Sequence, residues 1–151
     1  MIETPHIVTT EQQHYAALHL EIPLADIQKV MFPGINEVVA VLKSQGNPPV
    51  GPWFTHHFHR PTDCFDFEIC FPVATPITPE GRVTAGTWPA MTVARTVYHG
   101  AYSGLPHAWP ELEQWMKSED HKGGTEMWER YLIDQAKDPA DLRTELNWPL
   151  G

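Results

Sequence analysis

Two similar halves within one chain are the feature that most limits how this sequence can fold. Residues 67–73 align with residues 144–150 at an offset of 77 positions, and each segment has a glutamate at its second position and a proline at its sixth. An earlier strand opens with a tryptophan in each half, at Trp53 and Trp128, which lie 75 positions apart. Two copies are too few for a solenoid, so the pattern predicts two half-domains related by a pseudo-twofold axis.

Each half is predicted to fold as strand, helix, strand and strand, over about residues 12–74 and about residues 82–151. Apolar residues three or four positions apart predict both helices. They are Ile35, Val38, Val39 and Leu42 in the first half, and Leu105, Trp109, Leu112, Trp115 and Met116 in the second. The expected fold class is α+β, with a single domain over residues 1–151 and both helices on one face of an antiparallel sheet.

Charge and composition exclude several classes of function. The chain has 10 Lys and Arg against 19 Asp and Glu, a net charge of −9, which argues against direct binding to a nucleic-acid backbone. No apolar run approaches the roughly 18 residues of a membrane span, and the N-terminus lacks the layout of a signal peptide. Cys64 and Cys70 are too few for a disulfide scaffold. We therefore expect a cytoplasmic protein without a membrane partner.

The strands should place two different sets of side chains on the two faces of the sheet. If Phe67, Ile69, Leu146 and Trp148 meet the helices, the alternate residues point away from them. Those alternate residues are Phe54, His56, Phe58, Asp66, Glu68 and Cys70 in the first half, and Met127, Glu129, Tyr131, Ile133, Arg143, Glu145 and Asn147 in the second. A solvated sheet face is the ordinary interpretation, but it would expose an apolar patch. Mixed aromatic and carboxylate residues are typical of a small-molecule cleft.

A carboxylate among aromatic rings favours one class of ligand. It attracts organic cations through its own charge, and each ring adds about 0.5–2 kcal/mol through cation–π contact. Arg143 lies near Glu145 on the same nominal strand face, and an ion pair between them would make the cleft less anionic.

An ordered set of segments carries a family resemblance over nearly the whole chain. The set comprises residues 66–73 (DFEICFPV), 87–94 (TWPAMTVA), 98–105 (YHGAYSGL), 128–132 (WERYL) and 142–150 (LRTELNWPL). Together they resemble the GyrI-like (gyrase-inhibitor-like) small-molecule-binding family, which includes the effector-binding domains of AraC-type and MerR-type multidrug-sensing regulators.

The resemblance implies a ligand cleft along the pseudo-twofold axis, with an acidic floor ringed by aromatic residues. Matched to the family pattern, the candidate contacts are Glu129, Tyr131 and Glu145, their counterparts Phe54, His56 and Glu68, and the walls Trp53, Trp88 and Tyr98. The expected ligand is a cationic or aromatic amphiphile, including xenobiotics, that the protein senses or sequesters. No helix-turn-helix fits into the short segment that precedes the family-like pattern, so no DNA-binding role is expected to come with it.

Three alternatives accompany this hypothesis. Some single-domain relatives are similar to hydrolases that open strained electrophilic rings, and Glu129, Tyr131 and Glu145 have suitable acid–base chemistry. A protein partner such as gyrase, or a homodimer, is a weaker candidate. A metal site at His56, His57 and His59 is disfavoured, because alternation on a strand sends His56 away from the other two, and no cofactor is expected.

Overall fold

The computed structural model describes all residues from 1 to 151 as eight strands and two long helices. In chain order these are β1 (His6–Thr9), β2 (Gln13–Pro23), α1 (Ile27–Ser44), β3 (Phe54–His57), β4 (Cys64–Pro72), β5 (Val83–Trp88), β6 (Thr92–His99), α2 (Leu105–Ser118), β7 (Met127–Ile133) and β8 (Arg143–Pro149). Short 3₁₀ turns lie at Leu24–Asp26, Tyr102–Gly104 and Pro139–Asp141. Neither helix is long and apolar enough to cross a membrane.

All eight strands form one antiparallel sheet, in the order β1-β6-β8-β7-β3-β4-β2-β5. The order reads the same from both ends when each strand is exchanged for its counterpart in the other half. The pseudo-twofold axis therefore passes between β3 and β7, the two strands at the centre. This confirms the predicted α+β class and antiparallel sheet.

Each repeat contains one strand more than the sequence pattern predicts. The extra strands β1 and β5 precede β2 and β6, and each pairs with the other repeat: β1 with β6, and β5 with β2. Thr9 pairs with Thr92 and Gln13 with Trp88, so the two ladders share one register. Between them the Thr10 N–H donates to the Met91 carbonyl at 2.7 Å. The two segments thus form a single bent ribbon that joins the halves.

Both helices pack on the same side of the sheet, as predicted. Val38 and Leu42 of α1 are buried with Phe67 and Ile69, and Leu112 of α2 is buried with Leu146 and Trp148. Burying such a side chain contributes about 1.5–3 kcal/mol. We call this side the helix face.

The sheet curls strongly around its other side, which we call the inner face. Trp88 of β5 stacks on Trp128 of β7 with 4.1 Å between ring centroids, although three strands separate β5 from β7 in the sheet order. In a flat sheet these strands would lie about 19 Å apart. Tyr15, Ala17, Phe54 and Cys70 are buried with these two tryptophans. The curl explains how aromatic residues are buried on a face that carries no helix.

Candidate functional site

The pairing register separates the two glutamates that the sequence placed on one cleft floor. In the β7–β8 ladder Glu129 pairs with Leu146, whereas Arg130 pairs with Glu145. Directly paired residues lie on the same face of a sheet, so Glu129 is on the helix face and Glu145 on the inner face. The prediction of a common floor is therefore wrong. Met127 and Tyr131, which alternate with Arg130, also lie on the helix face rather than opposite it.

A chain of hydrogen bonds ends at Glu129 between the central strands. Trp109 Nε1 donates to Glu129 Oε2 at 2.7 Å, and the Tyr131 hydroxyl donates to Oε1 at 2.9 Å. Thr55 Oγ1 lies 2.8 Å from the Tyr131 hydroxyl and 3.2 Å from His57 Nε2. Trp109 comes from α2, and the other four residues lie on β3 and β7. The site is thus built at the pseudo-twofold axis.

The direction of this chain follows from the donor capacity of each group. A carboxylate only accepts, so the Tyr131 hydroxyl donates its hydrogen bond to Glu129 and accepts one from Thr55. The Thr55 hydroxyl then accepts from the Nε2–H of His57, whose Nδ1 makes no hydrogen bond. Burial lowers the pKa of His57, which keeps the imidazole neutral. All the dipoles therefore point toward the carboxylate.

Glu129 has no basic side chain within ion-pairing distance. It is 8% exposed, and each of its two oxygens accepts one hydrogen bond from a neutral donor. The pKa of Tyr131 is raised well above its ordinary value. Burial is the largest cause, and the negative charge of Glu129 is the second. Tyr131 therefore stays protonated and remains a donor.

Aromatic side chains surround the outer end of this chain. Trp53 stacks on Tyr131 at 4.1 Å between ring centroids, and its Nε1 donates to Asp134 at 2.9 Å. Tyr102 meets Tyr131 edge-on at 5.9 Å and is half exposed. The half-buried Trp53 and the exposed Tyr102 are thus the rings most open to an incoming molecule.

The remaining predicted contacts lie elsewhere. Phe54 and Trp88 are buried on the inner face. Tyr98 is buried against α2 and donates to the Ala101 carbonyl at 2.8 Å, which suits a packing role. The ligand contacts proposed at these three positions stay predictions.

His56 and Glu68 belong to a separate polar cluster on the inner face. The two ring nitrogens of His56 lie 2.9 Å from Glu68 and 2.8 Å from Glu126. The imidazole stacks on Trp128 at 3.7 Å, and the Tyr15 hydroxyl also donates to Glu68. These side chains are thus partnered within the protein, and their ligand contacts likewise remain predictions.

Glu145 is partnered by two arginines, but not by Arg143. Its Oε1 lies 3.5 Å from Arg95 Nε and 3.6 Å from Arg130 Nη1, while Arg143 donates to backbone carbonyls. The anticipated charge partner exists, but it comes from β6 and β7. Two positive groups beside Glu145 make this carboxylate a poor counter-charge for a cation.

A family model for the GyrI-like small molecule binding domain matches residues 3–150. The chain belongs to this family. The resemblance inferred from the ordered segments is thereby confirmed. Among curated proteins, none matches the sequence.

Several solved structures share this fold at low sequence identity. The EcmrR C-terminal domain superposes with a TM-score of 0.81 and 21% identity, over 98% of this chain and 97% of that one. In an EcmrR–DNA complex the TM-score is 0.79 at 18% identity, and 97% of this chain covers 57% of the EcmrR chain. The structure of SAV2435 bound to tetraphenylphosphonium superposes with a TM-score of 0.69 and 7% identity, over 99% of this chain and 94% of that one. At these identities the likeness shows the fold alone.

Four residues of the Glu129 site were not among the ligand contacts predicted from the sequence. Trp109 fits the helical spacing of a core residue, and it is indeed buried, but its indole N–H also reaches Glu129. Thr55 and His57 alternate with Phe54 and His56, and the strand period already places them on the other face. Tyr102 stands in the family-like turn, where Tyr98 was the preferred candidate. The alternation on β3 was the signal that could have found two of the four.

Proposed function

We propose that this GyrI-like chain binds cationic aromatic amphiphiles on its helix face, with Glu129 as the counter-charge. The observation that carries the proposal is a buried carboxylate with two neutral donors and no basic partner. An uncompensated buried charge is unfavourable by several kcal/mol. A bound cation would supply the missing charge, so the site is already arranged for one.

The aromatic residues select among cations. A compact, strongly hydrated cation would lose more solvation energy in this site than an organic cation whose charge is spread over rings. Trp53 and Tyr102 offer ring faces and edges beside Tyr131, and each cation–π contact adds about 0.5–2 kcal/mol. Tetraphenylphosphonium, the compound bound to SAV2435, has this chemistry and is a suitable probe.

In this proposal the cytoplasmic protein senses or sequesters such compounds, xenobiotics included. The match to EcmrR supports a sensing role, because that protein was solved in complex with DNA and its C-terminal domain has this fold. The present chain spans 57% of the EcmrR chain in that complex, and direct DNA binding by this chain is not part of the proposal.

The test is a calorimetric titration with tetraphenylphosphonium at low ionic strength. Glu129→Gln keeps the size of the side chain and removes its charge, so we expect affinity to fall by about tenfold to a hundredfold, the scale of losing a charged partner. Glu145→Gln is the matched control on the inner face. It should leave tetraphenylphosphonium binding unchanged, because Arg95 and Arg130 already meet that charge.

A neutral ligand of similar shape separates the charge effect from any damage to the fold. The native protein should bind tetraphenylphosphonium more tightly than triphenylphosphine oxide, and Glu129→Gln should remove that preference while keeping the native circular dichroism spectrum. Equal affinities of the native protein for the two compounds would refute the role of Glu129. If Glu145→Gln loses as much affinity for tetraphenylphosphonium as Glu129→Gln does, the cation binds on the inner face instead.

A further inference from the structure

A polar hollow of about 400 Å³ opens on the inner face, away from the Glu129 site. Residues 9–13, where the bent ribbon turns, and residues 50–52 form its more exposed side, and the more buried Trp88, Arg95 and Arg130 form its floor. This volume is in the range of small-molecule sites, about 300–1,000 Å³. Most of its lining is polar, so a hydrophobic drug is not its natural occupant.

The two guanidinium groups in the hollow retain most of their hydrogen-bonding capacity. Arg95 donates through Nε to Asn147 Oδ1 at 2.6 Å, and its terminal nitrogens donate to no protein acceptor. The Arg130 guanidinium makes no hydrogen bond to the protein beyond its 3.6 Å ion pair with Glu145, and it lies over the Trp88 ring at 5.1 Å from the centroid. Their side chains are only 22% and 29% exposed. The terminal nitrogens of both guanidinium groups are thus held mostly buried without a hydrogen-bond acceptor in the protein.

The charges around the hollow do not cancel at its floor. Arg95 and Arg130 share one carboxylate, Glu145, which also accepts from Asn147 at 3.0 Å. Glu145 itself does not line the hollow, and the acid that does, Glu11, is exposed. The floor therefore has a surplus positive charge in a protein whose net charge is −9. Burial lowers the pKa of Arg95. The Glu145 charge raises this pKa in part, and the Arg130 charge lowers it again, as expected for a cation short of acceptors.

We propose that this hollow binds a small polar oxyanion, with a carboxylate or phosphate group held between Arg95 and Arg130. A planar guanidinium matches both groups through paired N–H···O bonds. The hydroxyl and amide side chains of Thr9, Thr10 and Gln12 on the more exposed side of the hollow suit a hydroxylated or otherwise polar remainder. Arg130 and Glu129 are adjacent in β7, so the anion site and the proposed cation site lie on opposite faces of one strand. The proposal does not depend on the cation site.

Calorimetric titrations with sodium phosphate and with sodium citrate distinguish the two oxyanion sources. Sodium chloride holds the ionic strength constant, so that screening does not change during the titration. We expect saturable binding of at least one of the two anions. Arg130→Gln should weaken it by about tenfold or more, as expected for a lost charge-assisted hydrogen bond. Arg82→Gln is the control, because Arg82 pairs with Glu37 on the surface.

Glu145→Gln provides a test of opposite sign. Removing the carboxylate that competes for both arginines should tighten anion binding by about tenfold, whereas a variant that merely loosened the fold would bind less well. Arg130→Lys keeps the charge without the fork, so its affinity should fall between those of the native protein and Arg130→Gln.

Several results would overturn the proposal. One is the absence of saturable binding for both anions. The others are equal losses of anion affinity in Arg130→Gln and Arg82→Gln, and an anion affinity in Glu145→Gln below that of the native protein. Circular dichroism confirms that each variant is folded before it is compared. Tetraphenylphosphonium binding should be unchanged in Arg130→Gln, so the anion proposal and the cation proposal can fail separately.

Discussion

Replacing Thr55 by valine tests the hydrogen-bond chain that ends at Glu129. The two side chains have the same shape, but valine offers no hydroxyl group. Thr55 is 1% exposed, so water does not replace the lost partner. The change removes the donor to Tyr131 and leaves the Nε2–H of His57 without an acceptor, while His57 Nδ1 already makes no hydrogen bond.

The matched control is Thr144→Val. Thr144 is 0% exposed and pairs with Tyr131 across the β7–β8 ladder, yet its hydroxyl makes no hydrogen bond. Leaving a buried polar group unpaired is unfavourable by about 1–3 kcal/mol. Thr55→Val should therefore lower the free energy of unfolding by about that amount. Thr144→Val removes a group that is already unpaired, so it should leave stability unchanged or raise it.

Thermal and urea denaturation measure both variants. At this chain length Tm changes by about 2–4 °C for each kcal/mol, so the two melting curves should be clearly resolved. Thr55→Val should also weaken tetraphenylphosphonium binding, because Tyr131 loses the bond that orients its hydroxyl toward Glu129. Equal destabilisation by the two substitutions would show that the hydroxyl chain contributes nothing beyond packing, and would refute this account of the site.

Three further predictions follow from other contacts. Gly86→Ala should lower the free energy of unfolding by about 1–3 kcal/mol, because a Cβ atom there would lie 2.5 Å from the Tyr15 ring; urea denaturation measures this, with Gly51→Ala as a control that should be nearly neutral. Burial lowers the pKa of His57, so below about pH 6.5 the unfolded chain binds more protons than the native chain. Stability should therefore fall as the pH drops from 7 through that window, Tm measured against pH should show it, and a slope unchanged in His57→Gln would contradict it. The hydrolase alternative predicts turnover of a cyclopropane-bearing electrophile that disappears in Glu129→Gln; we expect no products by mass spectrometry, and such turnover would displace the binding proposal.

Periodicity within each segment was enough to predict the helices and the strands that face them. Leu112 and Val38 recur at helical spacing and are buried where predicted. Alternation likewise placed Phe67, Ile69, Leu146 and Trp148 correctly against the helices. These patterns are local, so they can be read from the sequence without knowledge of which strands pair.

Local patterns do not show which residues of two paired strands lie on the same face of the sheet. Glu129 and Glu145 each alternate correctly within their own strands, but the β7–β8 register sets them on opposite faces. A shift of one residue between two strands moves a whole set of side chains to the other face. The loop between Ile133 and Arg143 sets that register, and no short-range signal in the sequence specifies it. The strands β1 and β5 were missed because they are only 4 and 6 residues long and pair with the distant repeat.

The reciprocal placement of β1 and β5 bears on how a protein of this kind could have arisen. A polypeptide corresponding to one repeat would carry a leading strand with no pairing partner inside its own unit. It would also leave one edge of its sheet unpaired, where the other repeat now supplies a strand. Two identical copies would satisfy both needs by donating their leading segments to each other. The architecture is thus that of an intertwined homodimer whose subunits have been fused, and a cut between the repeats should yield fragments that are stable only when they recombine.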